Sequence, residues 1–335
     1  MTAPMSEKLR WGVLSTAKIA REKLIPALRK SQLNEVVALA SRDASQATKT
    51  AESLGIPHAF GDYDELLQSD TVDVIYIPLP NHLHVPWAIR AIEAGKHVLC
   101  EKPISLDTDD AAPLLRAVAE NPGVKVMEAF MYRFHPQWSL AKQLLDEGRI
   151  GKINSIHAMF TFFNKDPENV RNKPGIGGGS LLDVGCYCVS SCRYLLGREP
   201  ARVIGSLNID STFGIDGSAN GLLDFGEVRT SFYCSMQSEP SQRVYVSGEK
   251  GSITLEFPFY QPDDCAARVI IHHDRVSEIV ETEVCDHYSL QVDALARSIL
   301  DDTPVPTPLS DAVANMRVLE AIFSSDKQAG WVTVA

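Results

Sequence analysis

From Trp11 to Ala129 the chain alternates short apolar runs with segments of helical length, and this rhythm limits the fold more than any other feature. The runs are residues 11–15 (WGVLS), 35–41 (EVVALAS), a short piece near Ala59, 72–77 (VDVIYI), 97–100 (HVLC) and 124–129. Most are apolar nearly throughout, as in strands buried on both faces. Between them lie helical segments at 17–30, 43–54 (stopped by Gly55), 62–67, 83–94 (ended by Gly95) and 107–120. Strand–helix–strand repeats with crossovers of this length predict a parallel, doubly wound α/β sheet of the Rossmann type. Pro26 falls inside the first helical segment, where it predicts a kink or a restart.

After residue 129 the rhythm changes. A helix over 137–147 ends at Gly148, and strands then follow at 155–163, 202–208, 218–225, 229–235, 242–247, 252–257, 268–273 and 276–284. Asp224-Phe-Gly-Glu and Gly248-Glu-Lys-Gly read as hairpin turns, and one helix, 186–196, interrupts the series. The expectation is an α+β domain with a large, mostly antiparallel open sheet and helices on one face. A Pro-rich turn at 303–308, a helix capped by Ser310 and running to Ile322, and a strand at 331–334 close the chain. The domains are therefore expected at 1–129 and 130–335, with the open sheet face available for a homodimer or homotetramer.

Composition narrows the function classes. A net charge of −11 argues against a general attraction to nucleic acid or anionic membrane. Seven cysteines without regular spacing suit a reducing compartment. The first ten residues lack the apolar centre of a signal peptide, and no apolar run approaches the ~20 residues that span a bilayer. A soluble, cytoplasmic protein is expected.

The chemistry is expected beyond the carboxyl ends of the strands, where open parallel sheets bind ligands. The strand at 97–100 stops in Glu101-Lys102-Pro103. Lys102 is a candidate acid, base or polarising cation, and a surface ion pair with Glu101 is the alternative. The turn after the first strand is Ser15-Thr16-Ala17-Lys18-Ile19-Ala20, with small residues in every glycine slot of the dinucleotide fingerprint. Ser and Ala still let backbone amides approach a pyrophosphate, although any positive φ there is strained. The second strand ends in Ser41-Arg42-Asp43. A hydroxyl followed by arginine suits a 2′-phosphate and so favours NADP, whereas an inward Asp43 would favour NAD. The fourth strand leads into Pro78-Leu-Pro-Asn81-His82-Leu-His84, beside the expected nicotinamide half. Pro78, Asn81 and His84 join Glu101 and Lys102 in the cofactor set. His82 and His84 lack a third ligand, so they are read as capping and packing the next helix rather than holding a metal.

A second cluster, Gly177-Gly-Gly-Ser-Leu-Leu-Asp183-Val-Gly-Cys-Tyr187, starts as a loop and becomes a helix that places Asp183 and Tyr187 one turn apart. A tyrosine beside a lysine can relay a proton, and Asp183 can orient substrate or keep Lys102 charged. The alternative is an aspartate favoured by the helix dipole and a tyrosine in the core. Cys186, Cys188 and Cys192 do not converge on one metal, and no metal is expected. Arg133, in Tyr132-Arg-Phe-His135, is a candidate for substrate hydroxyls or for a hinge or interdomain salt bridge. The loop 164–176 is expected to shape the pocket.

With Glu101-Lys102-Pro103 after the fifth strand, Tyr132-Arg133-Phe-His135 after the sixth, and Gly177-Gly-Gly through Asp183 to Tyr187 opening the second domain, the chain resembles the Gfo/Idh/MocA oxidoreductases. The likeness covers nearly the whole length. It is strongest to the branch of glucose-fructose oxidoreductase, D-xylose dehydrogenase, aldose-aldose oxidoreductase and dihydrodiol dehydrogenase. The resemblance implies a Rossmann domain followed by an open-sheet domain in a dimer or tetramer, with the family's lysine, aspartate and tyrosine falling on Lys102, Asp183 and Tyr187. Ser41-Arg42 matches the NADP-using members, and the glycine-free turn departs from the pattern. The activity implied is hydride transfer from C1 of an aldopyranose or related cyclic polyol to NADP, giving a lactone. A second sugar would reoxidise a retained cofactor. Ketosugar reduction and dihydrodiol oxidation are the rivals within the class, and a dinucleotide-sensing regulator without catalysis is the rival outside it.

Overall fold

The structure, a computed structural model, describes residues 8–334. It divides into two compact units, one comprising residues through Met131 with Asp286–Ala312, the other Tyr132–Cys285 with the chain from Val313 on.

In the first unit, β1 (Leu9–Leu14), β2 (Asn34–Ala40), β3 (His58–Phe60), β4 (Val74–Ile77), β5 (His97–Cys100) and β6 (Val126–Glu128) form one sheet in the order β3-β2-β1-β4-β5-β6. Every neighbouring pair is parallel. The order reverses between β1 and β4, the point at which such sheets open a ligand crevice at their carboxyl ends. The central strands are apolar along most of their length because they are buried: Val13, Leu14, Leu39, Ile75, Ile77, Val98 and Leu99 expose nothing. The crossovers are α1 (Ile25–Lys30), α2 (Ala44–Leu54), α3 (Tyr63–Leu67), α4 (His84–Glu93) and α5 (Thr108–Glu120). Asp43, Asp62 and Asp107 cap α2, α3 and α5 by accepting from free first-turn amides. A π-turn over Ala20–Leu24 leads into α1, with Pro26 in the first turn of the new helix, where its missing N–H breaks no intrahelical bond. The restart expected at Pro26 is thus the observed one.

The second unit opens with α6 (Pro136–Asp146) and carries a nine-stranded sheet. Its strands are β7 (Ile153–Phe163), β8 (Arg202–Ile209), β9 (Asp216–Asp224), β10 (Arg229–Ser235), β11 (Gln237–Gly248), β12 (Ser252–Leu255), β13 (Arg268–His273), β14 (Val276–Glu281) and β15 (Val332–Thr333). Their order is β14-β13-β12-β11-β7-β10-β9-β8-β15. Only β7 with β10 runs parallel; the other pairs are antiparallel, including the two hairpins read from the sequence. A π-turn at Leu181–Gly185 leads into α7 (Cys186–Leu196), and α8 (His287–Leu300) and α9 (Leu309–Gln328) follow the sheet.

The domain division corrects the sequence reading of 130–335 as one piece. Helix α8 was missed there, and it belongs with the first unit. Asp286 at its N-cap pairs with Lys30 at 2.8 Å, and Asp293 accepts from Ser31 and from Asn34. The apolar stripe Tyr288, Val292, Leu295 and Ala296 is buried. The division between the units falls inside α9, after Ala312.

Candidate active site

The exit of β5 is fixed from several sides. Tyr76, on β4, donates its phenol to Glu101 Oε1 at 2.6 Å, and the Lys102 amide donates to Glu101 Oε2 at 3.3 Å. The Ile104 amide donates to Glu128 Oε1 at 2.8 Å, from the end of β6. Glu128 is buried, and Lys102 itself is half-buried. Glu101, expected at the cofactor, has its carboxylate engaged in holding the strand end. Pro78 is buried just past β4, and Asn81 is half-exposed in the 3-10 turn Asn81–Leu83.

His84, also expected at the cofactor, is placed otherwise. Its ring exposes 0%, with Nδ1 at 2.7 Å from the Pro103 carbonyl oxygen and Nε2 at 2.8 Å from that of Leu79. Those carbonyls leave strand ends and need donors inside the protein, so the ring serves them rather than a ligand. Burial above all lowers its pKa to about 4; the two carbonyls oppose this, while Lys102 and His82 add to it. The neutral ring has one N–H to share between two acceptors.

At the carboxyl end of β1, Ser15 takes φ +102° where the fingerprint has glycine. Its amide donates to the Ala40 carbonyl at 2.9 Å, and its hydroxyl accepts from the Ala17 amide at 3.2 Å. Thr16, Ala17 and Ile19 are half-exposed and Lys18 is exposed, which leaves the turn open to solvent. Beside it, Gln46 Nε2 reaches the Thr16 hydroxyl at 3.5 Å. At the end of β2 the Ser41 hydroxyl accepts from the Asp43 amide at 3.3 Å. Asp43 is spent as the cap of α2, accepting from the Ser45 and Gln46 amides at 2.9 and 3.2 Å. Its pKa is lowered by the Ser45 hydroxyl first and by the Gln46 amide next. The acid that would grip a ribose diol is thus withdrawn, and the exposed Arg42 stands beside the hydroxyl of Ser41 at the strand end. These residues fit a dinucleotide carrying a 2′-phosphate: small side chains at the phosphate turn, a cation and a hydroxyl at the ribose.

In the second unit the π-turn is built on Asp216 of β9. Asp216 Oδ2 accepts from the Leu181 amide at 2.6 Å, and Ser180 Oγ donates to the Gly217 carbonyl at 2.7 Å. Gly179 has φ +115°, and a Cβ there would lie 1.9 Å from Asp216 Oδ1, so the position admits glycine alone. Burial raises the Asp216 pKa to about 7 against the pull of the Leu181, Asp216 and Ser180 amides, with Asp326 adding to the rise.

Asp183 sits within this turn, 8% exposed, and accepts from Arg171 Nε at 2.8 Å. Tyr187 follows in the first turn of α7, 2% exposed, its ring held among Phe160, Phe259 and Tyr132 at centroid distances of 5.4, 5.5 and 5.7 Å. The π-turn, with more residues per turn than an α-helix, replaces the regular helical spacing on which the two were expected to share a face. Arg133 Nη2 and the Tyr132 phenol both donate to Ser190 Oγ at 2.8 Å, and the Arg133 guanidinium lies 5.3 Å over the Tyr194 ring. It braces the helix that carries Tyr187. Tyr76, Glu128, Arg171 and Asp216 were not singled out in the sequence, and no local pattern marks them.

The fold and these residues define a dinucleotide-fold oxidoreductase. Residues 9–130 match the oxidoreductase family with an NAD-binding Rossmann fold, and 138–254 match the GFO/IDH/MocA C-terminal domain. The chain belongs to the Gfo/Idh/MocA oxidoreductase family. It is 36% identical to D-xylose 1-dehydrogenase (NADP(+)) 2 of Haloferax volcanii, over 95% of this chain and 97% of that one. Among solved structures, a 3-ketoreductase from Actinomadura kijaniata in complex with NADP and TDP-benzene is similar with TM-score 0.90 and 31% identity, covering 95% of this chain and 98% of that one. Aldose-aldose oxidoreductase from Caulobacter crescentus, complexed with glycerol, gives TM-score 0.90 at 26% identity, covering 98% and 100%.

Proposed function

We propose that this protein is an NADP-dependent sugar dehydrogenase that oxidises C1 of an aldopyranose, or a related cyclic polyol, to a lactone. The observation that carries this reading is Lys102, half-buried at the carboxyl end of β5, with Glu101 just before it held by Tyr76 and Ile104 two residues beyond it held by Glu128. The similarity to an NADP-using D-xylose dehydrogenase supports the choice of substrate class. The withdrawal of Asp43 into the α2 cap supports NADP over NAD.

When bound, NADP supplies the nicotinamide carbon that accepts the hydride. Ser15, Thr16, Ala17, Lys18 and Ile19 would hold the pyrophosphate, Ser41 and Arg42 the 2′-phosphate, and Pro78 and Asn81 the nicotinamide end. Tyr187 would take the proton from the C1 hydroxyl as C1 becomes a carbonyl, with Lys102 the cation assigned to assist that transfer. Asp183 orients the sugar ring, where small displacements cost much rate. Arg133 keeps α7 in place.

A second reading runs the same chemistry backwards, reducing a ketosugar, and the similarity to the 3-ketoreductase favours it. Screening aldoses, ketoses and diols with NADP and NAD, by the absorbance of the reduced nicotinamide, separates the two. Lys102→Ala with normal turnover on every active substrate would remove both.

Self-association belongs to the same proposal. The register of the large sheet aligns Ile279, Tyr245, His157 and Leu222 in one row across it, and Ile279 and Leu222 are exposed apolar side chains. We assign a homodimer or homotetramer to this face. All seven cysteines are free thiols, which suits the reducing cytoplasm, and no helix among the described residues is long and apolar enough to cross a membrane.

A further inference from the structure

We infer that His84 is a positioning residue for Lys102: its Nδ1–H holds the carbonyl of Pro103, one residue beyond the lysine, with the ring seated between the exits of β4 and β5. The inference rests on the catalytic role given to Lys102 above and adds the device that holds it.

His84 exposes nothing, so it does not touch a ligand directly. Its two partners come from different strand-exit loops, Leu79 after β4 and Pro103 after β5. On the near side of Lys102, Glu101 is held by the Tyr76 phenol and by the Lys102 amide. On the far side, the Ile104 amide is held by Glu128. Between those points the Pro103 carbonyl is secured by His84 Nδ1. Proline has no N–H, so its carbonyl is the only backbone group through which that residue can be hydrogen-bonded. Release of this carbonyl frees the segment to rotate about Lys102, and a catalytic group displaced by about 1 Å can lose roughly 10²-fold in rate.

A neutral ring donates from one nitrogen only. The inference places that proton on Nδ1, toward Pro103. The asparagine amide nitrogen occupies about the place of Nδ1, and the glutamine amide nitrogen about the place of Nε2, so the two substitutions test the ends of the ring separately.

The experiment measures kcat, the sugar KM and NADPH affinity by fluorescence titration for wild type, His84→Ala, His84→Asn, His84→Gln and Lys102→Ala. The expected result is a kcat at least tenfold lower in His84→Ala and His84→Gln, and recovery to within a few-fold of wild type in His84→Asn. NADPH affinity should stay within twofold in all three, which also certifies folded protein. A wild-type kcat in His84→Gln, equal losses in the Asn and Gln variants, or NADPH affinity falling in step with kcat would overturn the inference. Failure of the underlying reading looks different: Lys102→Ala then turns over normally, whatever the His84 variants do.

Discussion

Arg171 and Asp183 form an ion pair, with Nε at 2.8 Å from Oδ2, between the loop of residues 164–176 and the π-turn that leads to Tyr187. The carboxylate is nearly buried while the guanidinium is about two-fifths exposed. A buried charge needs a partner, and the loop supplies it. The loop read from the sequence as pocket-shaping is therefore fastened to the residue assigned to orient the sugar.

Replacing Arg171 with alanine should raise the sugar KM about tenfold, the equivalent of about 1.4 kcal/mol of ordering at Asp183. Stability should fall by about 1 kcal/mol, since the arginine is partly exposed and its pair partly screened. NADP affinity should not change. Steady-state kinetics with a urea titration checks all three, and an unchanged KM would detach the loop from substrate binding.

Much of this was legible in the sequence, for local reasons. The strand positions followed from apolar runs, and the starts of α2, α3 and α5 were read to within one residue, at the acids that the structure shows as their caps. Helix α8 carried a readable stripe at Tyr288, Val292, Leu295 and Ala296, yet nothing local says which unit buries it. The pairs Tyr76–Glu101 and Glu128–Ile104 were invisible for the same reason: each joins residues far apart in sequence to satisfy a polar group inside the fold. His84 was read from its place beside the expected nicotinamide, and burial gave it a different task.

Strain was expected wherever a Ser or Ala of the phosphate turn took a positive φ, and Ser15 stands at φ +102°. Ser15→Gly and Ser15→Ala both lose the hydroxyl that accepts from Ala17, so comparing them isolates the backbone. The glycine variant should be the more stable by about 1 kcal/mol, against the usual order in which alanine wins. Urea unfolding of the pair decides it, and an alanine variant at least as stable would mean the turn holds no strain.

Arg42 should set the choice of dinucleotide. Arg42→Ala should raise the KM for NADP roughly tenfold or more, because a charge-assisted contact to the 2′-phosphate is lost. The KM for NAD should hardly move, since Asp43 remains bound into the cap of α2. Its neighbour Tyr63 offers a control: burial raises that phenol's pKa and Arg42 opposes the rise, so removing the arginine should shift the phenol further up. Equal losses with both cofactors would place the arginine elsewhere than at the 2′-phosphate.

Asp216 leads to a prediction about pH whose sign can be worked out. Its pKa is about 7 in the native chain and near 3.8 in the unfolded one. Between those values the native state holds a proton that the unfolded chain has released, so this stabilisation is complete below pH 3.8 and is lost as pH rises through 7. For a largely buried group the full span is on the order of 3–4 kcal/mol. His84 and His135 act in the opposite direction: each is lowered to about 4 mainly by burial, so stability from them is lost as pH falls from about 6.5 to 4. The wild-type curve therefore mixes both, and only a difference isolates the aspartate. The advantage of wild type over Asp216→Asn should shrink by a few kcal/mol between pH 4 and 8 (about 3) in urea titrations at fixed salt. A difference that stays flat would mean the carboxylate is already ionised, held so by the Leu181 and Ser180 amides, with the turn beneath Asp183 and Tyr187 resting on a buried charge rather than a buried acid.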